Sequence, residues 1–101
     1  IGWVINMPRK SALGLTGDQT ERLGRAIAVR RAVLRLDRKD LAAQSGLSYP
    51  YVHQIEKGTR TPSVPVLKRI AAVLDITDSD LLALAADMPS LDDAKRVTGR
   101  A

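Results

Sequence analysis

The side chains best suited to a chemical role are concentrated in the middle of the chain, and most of them are cations. Residues 22–69 carry eleven basic and three acidic side chains, a net charge of +8, whereas residues 70–101 carry a net charge of −3. A basic block confined to one stretch is the pattern expected of a surface that binds a polyanion. The alternative is chance clustering in a chain whose overall net charge is +5.

Residue types needed for catalysis or metal binding are scarce. The chain contains no cysteine and one histidine, His53, so disulfides, thiolate metal sites and histidine clusters are excluded. It has no nucleophile–base pair and no phosphate-binding loop motif, and its aspartates fit helix caps and solubilising charges. We therefore expect no enzyme activity, no metal and no cofactor.

Composition and hydropathy predict one small folded domain. Hydrophobic residues make up 45% of the chain and charged residues 27%, and 101 residues suit a single core. The apolar run of residues 81–86 is too short to span a bilayer, and residues 1–7 lack a basic leader and a cleavage motif. We expect an intracellular binding domain.

Apolar periodicity and capping residues predict an all-α fold of five helices, with no sheet. The predicted helix N-caps are Asp18, Asp37, Ser48, Ser63 and either Thr77 or Asp78, and the predicted helices cover residues 18–35, 38–45, 49–57, 64–74 and 79–86. Residues 1–17 are predicted to form a flexible arm, residues 18–86 the folded domain, and residues 87–101 a tail that forms a short helix or a dimer contact.

Small and aliphatic residues around Gly46 have the spacing of a helix-turn-helix. Gly46 suits a left-handed cap between two helices, and Ala42, four residues before it, lets the second helix cross closely. Val52 and Ile55, six and nine residues after Gly46, form one inward face. The spacing predicts a helix-turn-helix over residues 38–57.

Residues 23–85 resemble the Cro/C1-type (XRE-like) helix-turn-helix domain of phage and bacterial repressors. The resemblance implies a five-helix, lambda-repressor-like domain that binds double-stranded DNA, and hence a cytoplasmic, nucleoid-associated transcription regulator. The segments that carry the resemblance are residues 37–42 (DRKDLA), 46–48 (GLS), 55–58 (IEKG) and 61–63 (TPS), with Leu67 and residues 71–74.

The resemblance also implies roles for individual residues. Arg31 and Glu56 take the positions of a structural ion pair between the first and third helices. Base-reading positions fall on the start and exposed face of the third helix, and backbone-contacting positions lie beside it. The resemblance places DNA contacts on Arg38, Tyr49, Pro50, Tyr51, Gln54, Arg60 and Thr61. The predicted interface also includes Ser48, Lys39 and Lys57, and the alternative for the two lysines is that they are simply solvated.

Three of these residues have suitable chemistry of their own. Tyr49 and Tyr51 are two of only three aromatic residues, so an external partner explains them better than an aromatic core does. A tyrosine can contact the thymine methyl group and donate its hydroxyl to phosphate, and Gln54 can form a bidentate contact with adenine. The alternatives are that one tyrosine packs on the surface of the first helix, that only one of the two tyrosines touches a base, and that the Gln54 side chain is simply solvated.

Other positions depart from the family pattern. Arg35 stands where glycine is common, so the turn between the first two helices is expected to be tighter or differently closed. Arg30 stands where an aliphatic residue is common. His53 is expected to face away from the groove or to pack at its edge.

The expected partners are duplex DNA and a second copy of the chain. One such domain offers few base contacts, so a homodimer is expected to bind a pseudo-palindromic operator and to repress transcription by occupancy. The predicted dimer surface is the fifth helix with residues 87–101. That helix has more apolar residues than one core-facing side requires, namely Leu81, Leu82, Leu84 and Ala85.

Two rival functions remain open at this point. An antitoxin of the same fold would also bind a toxin protein, and an interaction adaptor would have lost groove reading. The cations around the third helix count against the adaptor. Arg9 and Lys10 either reach around the duplex or form a basic tail.

Overall fold

The computed structural model describes residues 13–89, and its architecture is all-α, as predicted. These residues form α1 (Gly17–Val33), α2 (Arg38–Ser45), α3 (Tyr49–Lys57), α4 (Val64–Val73) and α5 (Asp78–Asp87). The predictions made for Arg9 and Lys10, and for residues 90–101, lie outside the described residues. The boundaries assigned to the arm and the tail stay predictions.

Helix α1 begins earlier than predicted, and the prediction of Asp18 as its cap is wrong. Thr16 is the N-cap: its Oγ1 accepts a hydrogen bond from the Gln19 N–H at 3.1 Å, and Gln19 Oε1 accepts one from the Thr16 N–H at 2.9 Å. This reciprocal pair is a complete capping box. Asp18 lies in the first turn, where its charge suits the helix dipole and it pairs with Arg22 at 2.9 Å.

The other helix starts confirm the capping predictions. Asp37 caps α2 and Ser48 caps α3, while Ser63 and Thr77 cap α4 and α5. Gly46 ends α2 with φ of 73°, in the left-handed region that favours glycine. The start and the end of α2 and the start of α3 are therefore all set by local sequence.

The turn between α1 and α2 is closed by a residue in a glycine-like conformation. Arg35 has φ of 60°, and the N–H of Leu36 donates to the Arg31 carbonyl at 3.0 Å. Helix α1 therefore ends at Val33, two residues before the predicted end. Arg30, the other departure, donates from Nε to the Leu74 carbonyl at 2.9 Å and so satisfies the end of α4.

The core of the described region is aliphatic, and every helix contributes to it. Helix α1 packs against both α5 and α3, and α2 packs against α3 and α4. Within residues 13–89 no helix is long and apolar enough to cross a membrane. The buried apolar residues are Leu23, Ala26, Ile27, Leu41, Ala42, Val52, Ile55, Leu67, Ile70, Ala71, Leu74, Leu81 and Ala85.

Candidate nucleic-acid interface

Helix α3 is held so that one face enters the core and the other remains at the surface. Val52 and Ile55 are both 1% exposed, whereas Tyr49 is 44% exposed. The Ser48 hydroxyl accepts the Tyr51 N–H at 3.2 Å, and the Leu47 N–H donates to the Ala42 carbonyl at 2.9 Å across the turn from α2. The local sequence thus fixes both the start of α3 and its crossing with α2.

The far end of α3 lies directly on the backbone of α1. A Cβ atom added at Gly24 would lie 2.4 Å from the Ile55 carbonyl oxygen and 2.6 Å from that of Glu56. Only glycine permits this approach. Sequence reasoning missed Gly24, although an isolated glycine inside a helical pattern is a signal of close packing.

A buried carboxylate ties α3 to the two preceding helices. Glu56, whose side chain is 1% exposed, accepts from Arg31 Nε at 2.7 Å and from Arg31 Nη2 at 3.1 Å. Arg31 Nη1 also donates to the Leu36 carbonyl at 2.8 Å, which links the pair to the turn before α2. The contact between Arg31 and Glu56 thus spans α1 and α3, where the family resemblance places an ion pair.

Arg38, implied as a DNA contact, is also part of this buried network. Its Nε donates to Glu56 Oε1 at 2.9 Å, and its Nη1 lies 2.9 Å from Nδ1 of His53. Hydrogen bonds to the Glu56 carboxylate and to Tyr49 raise the pKa of Arg38 above its ordinary value. Arg38 therefore has a structural role whether or not it also touches DNA, and sequence reasoning did not assign it that role.

His53 is half-buried and connects α2 with the start of α3. A guanidinium only donates, so Nδ1 of His53 accepts the bond from Arg38 and the ring proton lies on Nε2. The ring stacks on Tyr49, with centroids 6.4 Å apart and planes at 18°. Tyr49 is thereby held at the exposed rim of α3.

Tyr51 has a different environment from Tyr49. It is half-buried and packs against the hydrophobic core, while the guanidinium carbon of Arg60 lies 5.4 Å from its ring centroid. Such a cation–π contact contributes about 0.5–1 kcal/mol at an exposed site. Tyr49 is therefore the more accessible of the two aromatic side chains.

The loop after α3 is tied back to α3 itself. Arg60 Nε donates to Gln54 Oε1 at 2.8 Å, and the Thr59 N–H donates to the Gln54 carbonyl at 3.0 Å. The Thr61 hydroxyl lies 2.9 Å from the hydroxyl of Thr20 in α1. Thr61, implied as a DNA contact, is thus directed towards α1 by its side chain.

The remaining implied DNA-binding residues are solvent-facing. Lys39, Ser48, Pro50 and Lys57 are all exposed. An open depression beside the start of α2 is lined by Arg31, Asp37, Arg38, Lys39 and Tyr49. The structure therefore brings the exposed face of α3 together with cations from α2 and from the loop that follows α3. Within the described part of the chain no group of three His, Asp or Glu side chains is placed to hold a metal ion.

A short helix seated across α2, with its outer face exposed and cations at both ends, defines a helix-turn-helix of the DNA-binding type. The helix-turn-helix family model matches residues 28–81. The chain belongs to the Cro/C1-type helix-turn-helix family, as the resemblance predicts. The matched relatives are named as HTH-type transcriptional regulators, the class of protein that the resemblance predicts.

Two bacterial proteins are similar to this chain in sequence. An uncharacterized HTH-type transcriptional regulator of Mycobacterium tuberculosis is 39% identical over 54 residues, which are 54% of this chain and 39% of that protein. The chain thus spans well under half the length of this relative. A second such regulator, from Sinorhizobium fredii, is 31% identical over 58 residues, 57% of this chain and 30% of that protein.

Two solved structures show the same architecture. The clp gene regulator ClgR from Corynebacterium glutamicum aligns with a TM-score of 0.70 and 28% identity, covering 81% of this chain and 87% of that chain. The biofilm regulator SinR, solved in complex with DNA, aligns with a TM-score of 0.57 and 31% identity, covering 59% of this chain and 97% of that one. The fold is that of an HTH transcriptional regulator.

Proposed function

We propose that this protein is a sequence-specific regulator of transcription that binds double-stranded DNA with α3 in the major groove. The observation that carries the proposal is the asymmetry of α3. Its inner face is fixed by Gly24, Val52 and Ile55, while its outer face offers Tyr49 and Gln54 between cations. The major groove of B-DNA accommodates a helix presented in this way.

The candidate residues divide into two kinds of contact. Ser48, Tyr49, Pro50, Tyr51 and Gln54 lie at the start or on the outer face of α3, where base edges come within reach. The cations beside α3 suit phosphate contacts, which position the protein without reading sequence. This second group comprises Arg38, Lys39, Lys57 and Arg60, with Thr61 contributing through the loop that it anchors.

The active species in this proposal is a homodimer that represses by occupying a pseudo-palindromic operator. One α3 reaches only a few base pairs, so specific binding needs a second domain about 34 Å away along the duplex. Leu81 and Ala85 are buried in the core, whereas Leu82 and Leu84 are only half-buried. Helix α5 therefore keeps apolar surface that a partner could cover. Such a regulator acts in the cytoplasm, at the nucleoid.

An anisotropy titration with random-sequence duplex tests the proposal. We expect affinity to fall steeply from low to physiological salt, with a log–log slope of about −0.9 per neutralised phosphate. Lys57→Ala is expected to flatten that slope by about one phosphate contact. Lys57 is preferred to Arg38 for this purpose because Arg38 also holds the fold together.

Arg69→Ala is the matched control, since it removes one charge from an exposed position of α4 outside the proposed interface. It is expected to leave the slope of the parent unchanged. Binding that ignores salt, or no binding by the folded protein, would reject the proposal and favour a protein partner such as a toxin.

A further inference from the structure

We propose that Arg60 sets the base preference of Gln54, so that the pair selects guanine over adenine at the position that Gln54 reads. This inference rests on the proposed function and deepens it, because it names the base recognised at one position of the site. Arg60 is a positioning residue here: it acts through the amide of Gln54.

Two contacts hold the Arg60 side chain on the surface of α3. Its Nε donates to Gln54 Oε1 at 2.8 Å, and its guanidinium carbon lies 5.4 Å from the centre of the Tyr51 ring. Because a guanidinium carries donors only, the amide oxygen of Gln54 must face Arg60. The orientation of this amide is therefore fixed by chemistry and does not depend on telling its oxygen from its nitrogen.

The backbone on both sides of Arg60 is anchored as well. The Thr59 N–H and hydroxyl both donate to the Gln54 carbonyl, at 3.0 Å and 3.2 Å. On the other side, the hydroxyls of Thr61 and Thr20 lie 2.9 Å apart. The loop that carries Arg60 is therefore fixed relative to α3 by contacts within the protein, without DNA.

The resulting surface presents hydrogen-bond donors. The Gln54 amide keeps its NH₂ group for DNA, because its oxygen faces Arg60. Guanine offers two acceptors in the major groove, N7 and O6, whereas adenine offers the N7 acceptor and the N6 donor.

Adenine is disfavoured for a specific reason. The bidentate adenine contact needs the amide oxygen to accept from N6, but Arg60 Nε takes one of the two lone pairs of that oxygen and holds the oxygen towards the loop after α3. The structure thus replaces the adenine contact expected of an isolated Gln54 with a guanine contact.

The test compares base preference and does not rely on total affinity. Selection from a random duplex library with the parent protein gives an operator, and Gln54→Ala identifies the position whose preference depends on Gln54. All four base pairs are then measured at that position with the parent, Arg60→Met, Gln54→Ala and the double variant. Arg60→Met keeps an unbranched chain in place of the guanidinium stem and removes every donor.

We expect the parent to favour guanine over adenine by about tenfold, the scale of one bidentate contact. Arg60→Met is expected to lose that preference or to reverse it towards adenine. In the Gln54→Ala background, Arg60→Met should cause no further change in the ratio. Lys57→Ala, the matched control, should weaken binding to all four operators equally.

Three results would overturn the inference while leaving the proposed function intact. They are a parent that prefers adenine at this position, an unchanged ratio in folded Arg60→Met, and an equal shift when Gln54 is absent. Failure of the parent to bind any duplex would instead remove the proposed function, and this inference with it. Circular dichroism of each variant establishes that the fold is retained.

Discussion

At the scale of single residues, Glu56 is the centre of the site even though its side chain is buried. Its carboxylate accepts from Arg31 and from Arg38, whose side chains are 17% and 31% exposed. A buried carboxylate is costly without partners, and each guanidinium compensates part of that cost. The two arginines are therefore energetically coupled through the group that they share.

This coupling predicts a non-additive double substitution. Arg31→Ala is expected to lower the free energy of unfolding by about 2 kcal/mol and Arg38→Ala by about 1 kcal/mol, because one partner remains in each case. The double variant should lose more than the sum, since Glu56 is then buried without a cation. Urea denaturation of the four proteins measures the coupling.

A background with Glu56→Met serves as the control for that experiment. With the carboxylate gone, the two arginine substitutions should become additive within about 0.5 kcal/mol. Strict additivity in the presence of Glu56 would show that the shared carboxylate does not couple the two arginines.

The cap of α2 makes a second prediction, on pH. Hydrogen bonds, chiefly from the backbone N–H of Asp40, hold the pKa of Asp37 below its ordinary value of 3.8. A lowered folded-state pKa stabilises the fold above the unfolded pKa, and that stabilisation is lost as the pH falls through the folded pKa. The free energy of unfolding should therefore decline in acid, from about pH 5 downwards.

Asp37→Asn separates this contribution from those of the other carboxylates. Asparagine also caps helices well but does not titrate. Denaturant midpoints measured from neutral to acidic pH should decline less steeply in the variant than in the parent. Parallel profiles would mean that the Asp37 cap does not contribute to acid unfolding.

Single residues also show where sequence reasoning ends. The chemistry at Asp37 and Ser48 follows from neighbours within three residues, so it can be predicted locally. The contact of Arg38 with Glu56 joins residues 18 apart on different helices, and its direction depends on how those helices cross. The same limit explains why sequence reasoning gave Gln54 no partner within the protein: Arg60 lies in a loop whose path no spacing rule defines.

At the scale of elements, the position of α3 depends on how closely it approaches α1. Gly24 lies beneath the last turn of α3, and the polar network of Glu56 lies beside the same turn. Helix types and starts were predictable because caps and periodicity are local signals. The distance between α1 and α3 was not predictable from local signals, because it depends on the absence of a Cβ atom at Gly24.

Gly24→Ala is therefore expected to destabilise the domain and to displace α3. The added methyl group would meet two backbone carbonyl oxygens that have no room to move, which costs about 1–3 kcal/mol in a packed region. DNA affinity should fall as well, because α3 would no longer sit at its present height above α1. Thermal unfolding and anisotropy measure the two effects.

The chain offers a matched control in the same helix. Gly17 has no heavy atom within 4 Å of an added Cβ. Gly17→Ala should be neutral or stabilising by a few tenths of a kcal/mol, since alanine favours helix formation. Equal losses at both positions would show that the close approach at Gly24 carries no special cost.

At the scale of the whole molecule, the charge distribution suits a protein with one side for a polyanion and another for a partner. Residues 22–69 hold the positive excess and residues 70–101 a net charge of −3. Helix α5 belongs to the acidic part and carries the half-buried Leu82 and Leu84. In the proposed dimer, docking through α5 has to leave both basic faces turned towards the same duplex.

That arrangement makes the spacing of half-sites a measurable property of the molecule. Two α3 helices fixed in one dimer reach the same face of DNA when their half-sites lie a whole number of helical turns apart, and we expect one turn, about 10 base pairs. Inserting about 5 base pairs rotates one half-site to the opposite face, so affinity should fall to that of a single half-site. Anisotropy with duplexes in which the distance between the half-sites is varied measures this effect.

Leu82→Asp should abolish the dependence on spacing while retaining the salt-sensitive binding of one domain. Equal affinity at every spacing for the parent would instead mean that the domains bind independently, and α5 would then have no role in reading the operator.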